Sequence, residues 1–133
     1  MLSRYINSGE KVLDIGGGPG RYSTWLASRG CDVTLFDLSE GNISFAKNKA
    51  KELDVSIKII CGNALDESLY HEVKYDHILV MGSMYHLFNY EDRKKVIDNA
   101  LSHLKKNGKI YIAFINLFAG LLYYLDEDKY GFK

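Results

Sequence analysis

Seven residues, Asp14-Ile15-Gly16-Gly17-Gly18-Pro19-Gly20, constrain this chain more than any others. They follow a short apolar run, Lys11 to Ile15, and precede a segment of helical spacing, Arg21 to Arg29. Four glycines in five positions let a backbone turn sharply and approach a ligand without Cβ clashes. The free N–H groups that open the next helix favour an anion. Strand, glycine turn and helix in that order predict a parallel sheet with helices on its faces. The spacing also separates ligand classes. A dinucleotide fingerprint requires G-x-G-x-x-G. Counted from Gly16 and Gly18, the third glycine falls on Arg21; counted from Gly18 and Gly20, it falls on Ser23. Both registers fail, which disfavours a nicotinamide-dependent oxidoreductase.

The rest of the chain repeats the alternation. Asp32 to Phe36 reads as a second strand, and Glu40 to Leu53 as a helix capped by Ser39. Ser56 to Cys61 reads as a third strand. Leu65 to Val73 fits either a short helix or a loop. Tyr75 to Met81 is a fourth strand. Glu91 to Leu104 is a helix striped by Val96, Ile97, Ala100, Leu101 and Leu104, with Asn107-Gly108 closing it. Lys109 to Ile115 is a fifth strand, Leu117 to Leu125 a helix, and Asp126 to Lys133 a polar tail. Tyr22, Trp25 and Leu26 share a face of the first helix, which predicts Trp25 in the core. Crossovers between parallel strands are right-handed. Ligands of such sheets bind beyond the carboxyl ends of the strands, where strand order reverses. Asp37 ends the second strand there. Its carboxylate can accept both hydroxyls of a ribose or cap the following helix; Ser39 supplies that cap, so the ribose role is favoured.

Composition narrows the field further. A chain of 133 residues suits one domain. Seventeen Lys plus Arg balance seventeen Asp plus Glu, so no net charge draws the chain to nucleic acid or to an anionic membrane. The most apolar run, Ile110 to Leu125, is short for a membrane span and is split by Asn116. Cys31 and Cys61 form no CxxC pair, and His71, His77 and His103 share no metal spacing. We expect no metal, reduced thiols and a cytoplasmic location.

Val12 to Ser23 resembles motif I of the class I S-adenosylmethionine-dependent methyltransferases, with Asp14, Gly16, Gly18 and Gly20 in the pattern D-x-G-x-G-x-G. Asp37-Leu38 is similar to that family's second motif. Cys61-Gly62-Asn63-Ala64 is similar to its third, where Asp is commoner than Asn. Tyr75 to Gly82 resembles the fourth strand and its exit, and Leu104 to Lys109 the turn before the fifth. Met81 to Leu87 is similar to the G-x-x-Y-H-L of members acting on small molecules. The resemblance implies a Rossmann-like, doubly wound α/β sheet in the order 3-2-1-4-5. It implies S-adenosylmethionine as cofactor and a small-molecule methyl acceptor. Gly16, Gly18 and Gly20 would accommodate the methionine part, with Asp14 helping to place its ammonium group. Asp37 would hold the ribose, and Leu38 would cover the adenine. Asn63 and Ala64 would meet the adenine edge. Met81 would lie beneath the sulfur or the methionine chain. Tyr85 and His86, after the fourth strand, stand where an acceptor sits, placed to orient or deprotonate its nucleophile. The other class of reading is a non-catalytic S-adenosylmethionine-binding module.

Full members carry two strands after the fifth and a helix before the first. Only Met1 to Glu10 and Asn116 to Lys133 flank the five strands here. The expectation is one domain over 1–133, incomplete at its C-terminus, without the sixth and seventh strands: a natural minimal form or a fragment. The fifth strand would then be an edge, and self-association through that edge or by exchange of the last helix is expected.

Overall fold

The structure is a computed structural model that describes residues 2–114. Five strands form its sheet: β1 (Lys11–Ile15), β2 (Asp32–Asp37), β3 (Lys58–Cys61), β4 (Tyr75–Val80) and β5 (Leu104–Ile112). Three α-helices connect them: α1 (Arg21–Ala27), α2 (Glu40–Glu52) and α3 (Tyr90–Ser102). Short 3-10 helices occupy Leu2–Arg4, Glu67–Tyr70 and Ser83–Tyr85. All neighbouring strands are parallel, in the order β3-β2-β1-β4-β5. The expected architecture is therefore present. The helix expected over 117–125 lies outside the described residues.

Apolar residues on both faces make β1 and β4 central strands. Leu13, Ile15, Phe36, Ile78 and Val80 point to one face and pack with Tyr70, Val96 and Ala100. Val12, Val33 and Leu79 point to the other, against Leu26, Ile6 and Leu2. Each such side chain, fully buried, stabilises the fold by roughly 1.5–3 kcal/mol. Strand order reverses between β1 and β4, so a crevice opens above their carboxyl ends.

Two details depart from the sequence reading, and a third settles a segment it left open. First, α1 buries Ser23, Thr24 and Leu26, while Tyr22 and Trp25 stay 36% and 39% exposed. Trp25 is therefore not core; the Arg29 guanidinium lies 5.2 Å from its ring centre. The cause is polar pairing under the glycine turn: Ser23 Oγ donates to Asp14 Oδ2 at 2.7 Å and Thr24 Oγ1 to the Gly20 carbonyl at 2.8 Å. Second, α3 stops at Ser102, and Asn107-Gly108 is not its cap. Leu104 already pairs with Tyr75, and residues 105–108 bulge before Lys109 pairs with His77. Lys105 Nζ holds both carboxylate oxygens of Asp76 at 2.8 Å across that bulge. A Cβ on Gly108 would come within 2.8 Å of the Leu104 side chain, so glycine is required by the bulge. Third, Leu65 to Val73 resolves into the 3-10 turn Glu67–Tyr70, capped by Asp66, which accepts the Ser68 N–H.

His77 is buried inside the sheet, with Nε2 at 3.0 Å from Glu10 Oε2 and Nδ1 at 3.3 Å from the Tyr111 hydroxyl. It is a satisfied core histidine. Among the described residues no group of three or more His, Cys, Asp or Glu could hold a metal ion, and no helix is long and apolar enough to cross a membrane.

Candidate functional site

The glycine turn is built by backbone geometry that other residues rarely adopt. Gly16, Gly18 and Gly20 have φ of 66°, 58° and 80°. The N–H groups of Gly16 and Gly17 donate to the Phe36 carbonyl at 2.8 and 3.3 Å, which locks the turn to the end of β2. A Cβ on Gly16 would fall 2.8 Å from that of Ser83, so this glycine is needed for the turn to meet the loop after β4. Gly18 differs. A Cβ there would have only the Asn42 amide within 4 Å, at 3.9 Å, so it would project into open space.

That space is a cleft of about 600 Å³ across the carboxyl ends of the strands. Gly16 and Gly18 form its floor on one side. Phe36, Asp37, Leu38, Ser39 and Asn42 line it from the β2–α2 junction, Gly62, Asn63 and Ala64 from the end of β3, and Ser83, Tyr85, His86 and Leu87 from the loop after β4. Its size is that of a small-molecule site.

Asp37 is the hub. Its Oδ2 accepts the Gly18 N–H at 2.8 Å; its Oδ1 accepts the Ser39 N–H at 2.9 Å and the Asn42 Nδ2 at 3.0 Å. Ser39 Oγ caps α2 by accepting the Asn42 N–H at 3.3 Å. The carboxylate thus ties the turn to the helix rather than capping the helix itself. At the far end, Asn63 Oδ1 accepts the Leu65 N–H at 3.0 Å, and the Ala64 carbonyl accepts from the Tyr70 hydroxyl at 2.8 Å and Asn99 Nδ2 at 3.3 Å. Tyr85 and His86 stand edge to face with ring centres 6.0 Å apart. Arg93 Nη1 donates to the carbonyls of Leu87 and Phe88 at 2.7 and 2.9 Å, fixing their loop to α3.

Eight residues singled out in the sequence meet in this cleft: Gly16, Gly18, Asp37, Leu38, Asn63, Ala64, Tyr85 and His86. Three others lie elsewhere. Asp14 is buried beneath the turn, where burial pushes its carboxyl up to about 6 against the opposing pull of the Ser23 hydrogen bond. Gly20 is the N-cap of α1, where a Cβ would sit 3.1 Å from that of Ala46. Met81 points to the opposite face, into a second hollow lined with Leu2, Arg21, Tyr22 and Trp25. Strand alternation explains this: Val80 and Met81 face opposite sides, and only the backbone from Gly82 onward reaches the cleft. Sequence reading missed Phe36, Ser83 and Asn42. Asn42 left a signal, since it stands three residues after the capping Ser39, where a helix's first turn faces its own start.

Among proteins of known kind, a family described as a methyltransferase domain matches residues 12–108. The ubiquinone biosynthesis O-methyltransferase of Coxiella burnetii is 33% identical over 127 residues, covering 94% of this chain and 52% of that protein. The chain thus spans about half the length of the curated relatives it matches. A Pyrococcus horikoshii protein of solved structure is 31% identical with a TM-score of 0.80, over 95% of this chain and 58% of that one. A S-adenosylmethionine-dependent methyltransferase from Thiobacillus denitrificans, solved with S-adenosyl-L-homocysteine, is 26% identical with a TM-score of 0.67, over 80% of this chain and 42% of that one.

Proposed function

This chain belongs to the class I S-adenosylmethionine-dependent methyltransferases, and on that premise we propose that its cleft binds S-adenosylmethionine and serves methyl transfer to a small-molecule acceptor. The observation that carries this is the Asp37 carboxylate, which ties Gly18 to Asn42 in a cleft whose floor a single Cβ on Gly18 would obstruct. The donor set suits the cofactor. Asp37 offers an acceptor to a ribose hydroxyl, Leu38 and Phe36 offer apolar surface to a purine, and the side-chain amide of Asn63 offers polar atoms to its edge. Gly16 and Gly18 leave room for the amino-acid part.

When bound, this cofactor supplies a methyl group already activated on a sulfonium. The protein's own work is then placement. Tyr85 and His86 border the cleft on the side of β4, and Arg93 holds their loop to α3. The Tyr85 hydroxyl is placed to orient an acceptor's nucleophile, and the His86 imidazole to take its proton. Asp14 acts from below, holding Ser23 and supporting the turn rather than touching a ligand.

Calorimetric titration with S-adenosylhomocysteine and with NAD is the direct test. We expect saturable binding of the first alone, unchanged in His86→Ala, with methyl transfer slowed in that variant once an acceptor is identified. Binding of NAD in place of S-adenosylhomocysteine would sink the proposal. Binding without transfer to any acceptor in a broad panel would favour the non-catalytic module.

A further inference from the structure

The hollow into which Met81 points holds chemistry that the cleft does not use. It measures about 420 Å³ and is lined by Leu2, Arg21, Tyr22, Trp25 and Met81. That is room for a small molecule. No residue is common to its lining and that of the cleft. Gly82, the residue after Met81, lines the cleft, and a Cβ on it would collide with the Gly16 carbonyl. This close backbone contact closes the gap between the exits of β1 and β4, so the hollow is a space of its own.

Two features of the lining call for a ligand. One is aromatic surface. A single exposed aromatic is ordinary, but Tyr22 and Trp25, each more than a third exposed, share one concave wall backed by Leu2 and Met81. The other is unbalanced charge. From 21 to 29 the sequence carries two arginines and no carboxylate. Arg29 is engaged with the indole, its guanidinium 5.2 Å from the ring centre of Trp25. Arg21 stands one helical turn before Trp25, on the same face of α1. Among the described residues it forms no ion pair. A guanidinium is a planar fork that matches the two oxygens of a carboxylate. Apolar and aromatic walls with one uncompensated cation select for a flat molecule of opposite charge.

We propose that the hollow is a second ligand site, separate from the cleft, for a planar organic anion: an aromatic carboxylate whose charge meets Arg21 and whose ring lies against Tyr22 and Trp25. The site owes its selectivity to side chains on one face of α1, and it stands independently of what the cleft binds.

Trp25 is the only tryptophan in the chain, so its emission reports on the hollow directly. The experiment follows that emission while wild type, Arg21→Gln and Arg21→Lys are titrated with three probes. Benzoate has both ring and charge, benzamide keeps the ring alone, and acetate keeps the charge alone. Thermal melting verifies that each variant is folded. In wild type benzoate should give a saturable change, benzamide should bind about tenfold more weakly, and acetate should give no change over the same range. In Arg21→Gln benzoate should bind no better than benzamide. Arg21→Lys, which keeps the charge without the fork, should fall between. Saturating S-adenosylhomocysteine should leave the benzoate response in place. No response to benzoate would refute the proposal. Equal binding of benzamide would reduce the hollow to an apolar dent, and equal binding of acetate would mean an adventitious ion only; either overturns it. A preference for benzoate that survives in Arg21→Gln would remove Arg21 from the site. Loss of the benzoate response on adding S-adenosylhomocysteine would make the hollow part of the cofactor's own site. Failure of S-adenosylhomocysteine to bind would count against the cofactor reading alone, since the benzoate titration is read without it.

Discussion

Asp14 ends an apolar strand beneath the glycine turn, with the Ser23 hydroxyl 2.7 Å from its Oδ2. Desolvation raises its carboxyl from 3.8 to about 6, and the nearby charge of Asp37 adds to the rise. The folded protein therefore holds this proton more tightly than the unfolded chain does. Its contribution to stability is complete below pH about 4 and is lost as pH rises through about 6. A shift of that size corresponds to about 3 kcal/mol. Asp14→Asn keeps an acceptor for Ser23 and removes the titration. In urea unfolding, wild type should lose about 3 kcal/mol relative to Asp14→Asn between about pH 3 and about pH 7. A difference that stays constant over that range would show that Asp14 is ionised at no cost. The sequence made Asp14 legible as part of the turn but not as buried. Burial follows from the neighbours α1 brings over it, and Ser23 and Thr24 carry no hydrophobic signal. The face of Met81 was hidden for a related reason: it alternates with Val80 and so lines the hollow opposite the cleft, and which face of a doubly buried strand meets which neighbour is set by packing that spacing does not name.

Among the elements, the segment after β3 shows how a loop without a strong pattern becomes rigid. The Ala64 carbonyl is bonded by Tyr70 from the 3-10 turn and by Asn99 from α3. Tyr70 is fully buried, packing edge-on to Phe36 with centres 5.0 Å apart and stacking on His103 at 5.1 Å. Burial pushes its hydroxyl upward, so it remains a donor. Tyr70→Phe retains the ring contacts and deletes one bond to Ala64. We expect about 1 kcal/mol of lost stability, with faster amide exchange confined to residues 62–66. Loss without that local exchange would place the effect in general packing. The motif Gly62-Asn63-Ala64 was readable in the sequence; its support was not, because Tyr70 lies in a segment without a strong pattern and Asn99 comes from a distant helix that only the fold brings near. The strands were read well for the opposite reason. β1, β2 and β4 are buried on both faces, so each is a short run in which apolar residues predominate. The start of β5 was hidden by its bulge, since Leu104 belongs to a helix by spacing and to the sheet by pairing with Tyr75.

At the scale of the whole molecule, β5 has a strand neighbour on one side only among the described residues. Ile112 at its end is 37% exposed and Phe114 beyond it 69%. An unpaired apolar edge invites a second chain. We expect the 133-residue chain to self-associate at micromolar concentration, and Ile112→Lys to shift it toward monomer in sedimentation while leaving its melting temperature nearly unchanged. Equal sedimentation of the two proteins would place any association elsewhere. The same strand order has a consequence for how the molecule is made. Val12 pairs with Val33 on one side and with His77 on the other. A ribosome delivers β1, β2 and β3 in sequence, and each adds outward in one direction. The next strand must then return to the opposite flank of β1. At ordinary elongation speeds that flank waits on the order of several seconds, bare and apolar, for its partner to emerge. A chaperone that shields extended greasy segments would find its moment in this interval. The loop bearing Tyr85 and His86 emerges later still, so that wall of the cleft is the last to be made.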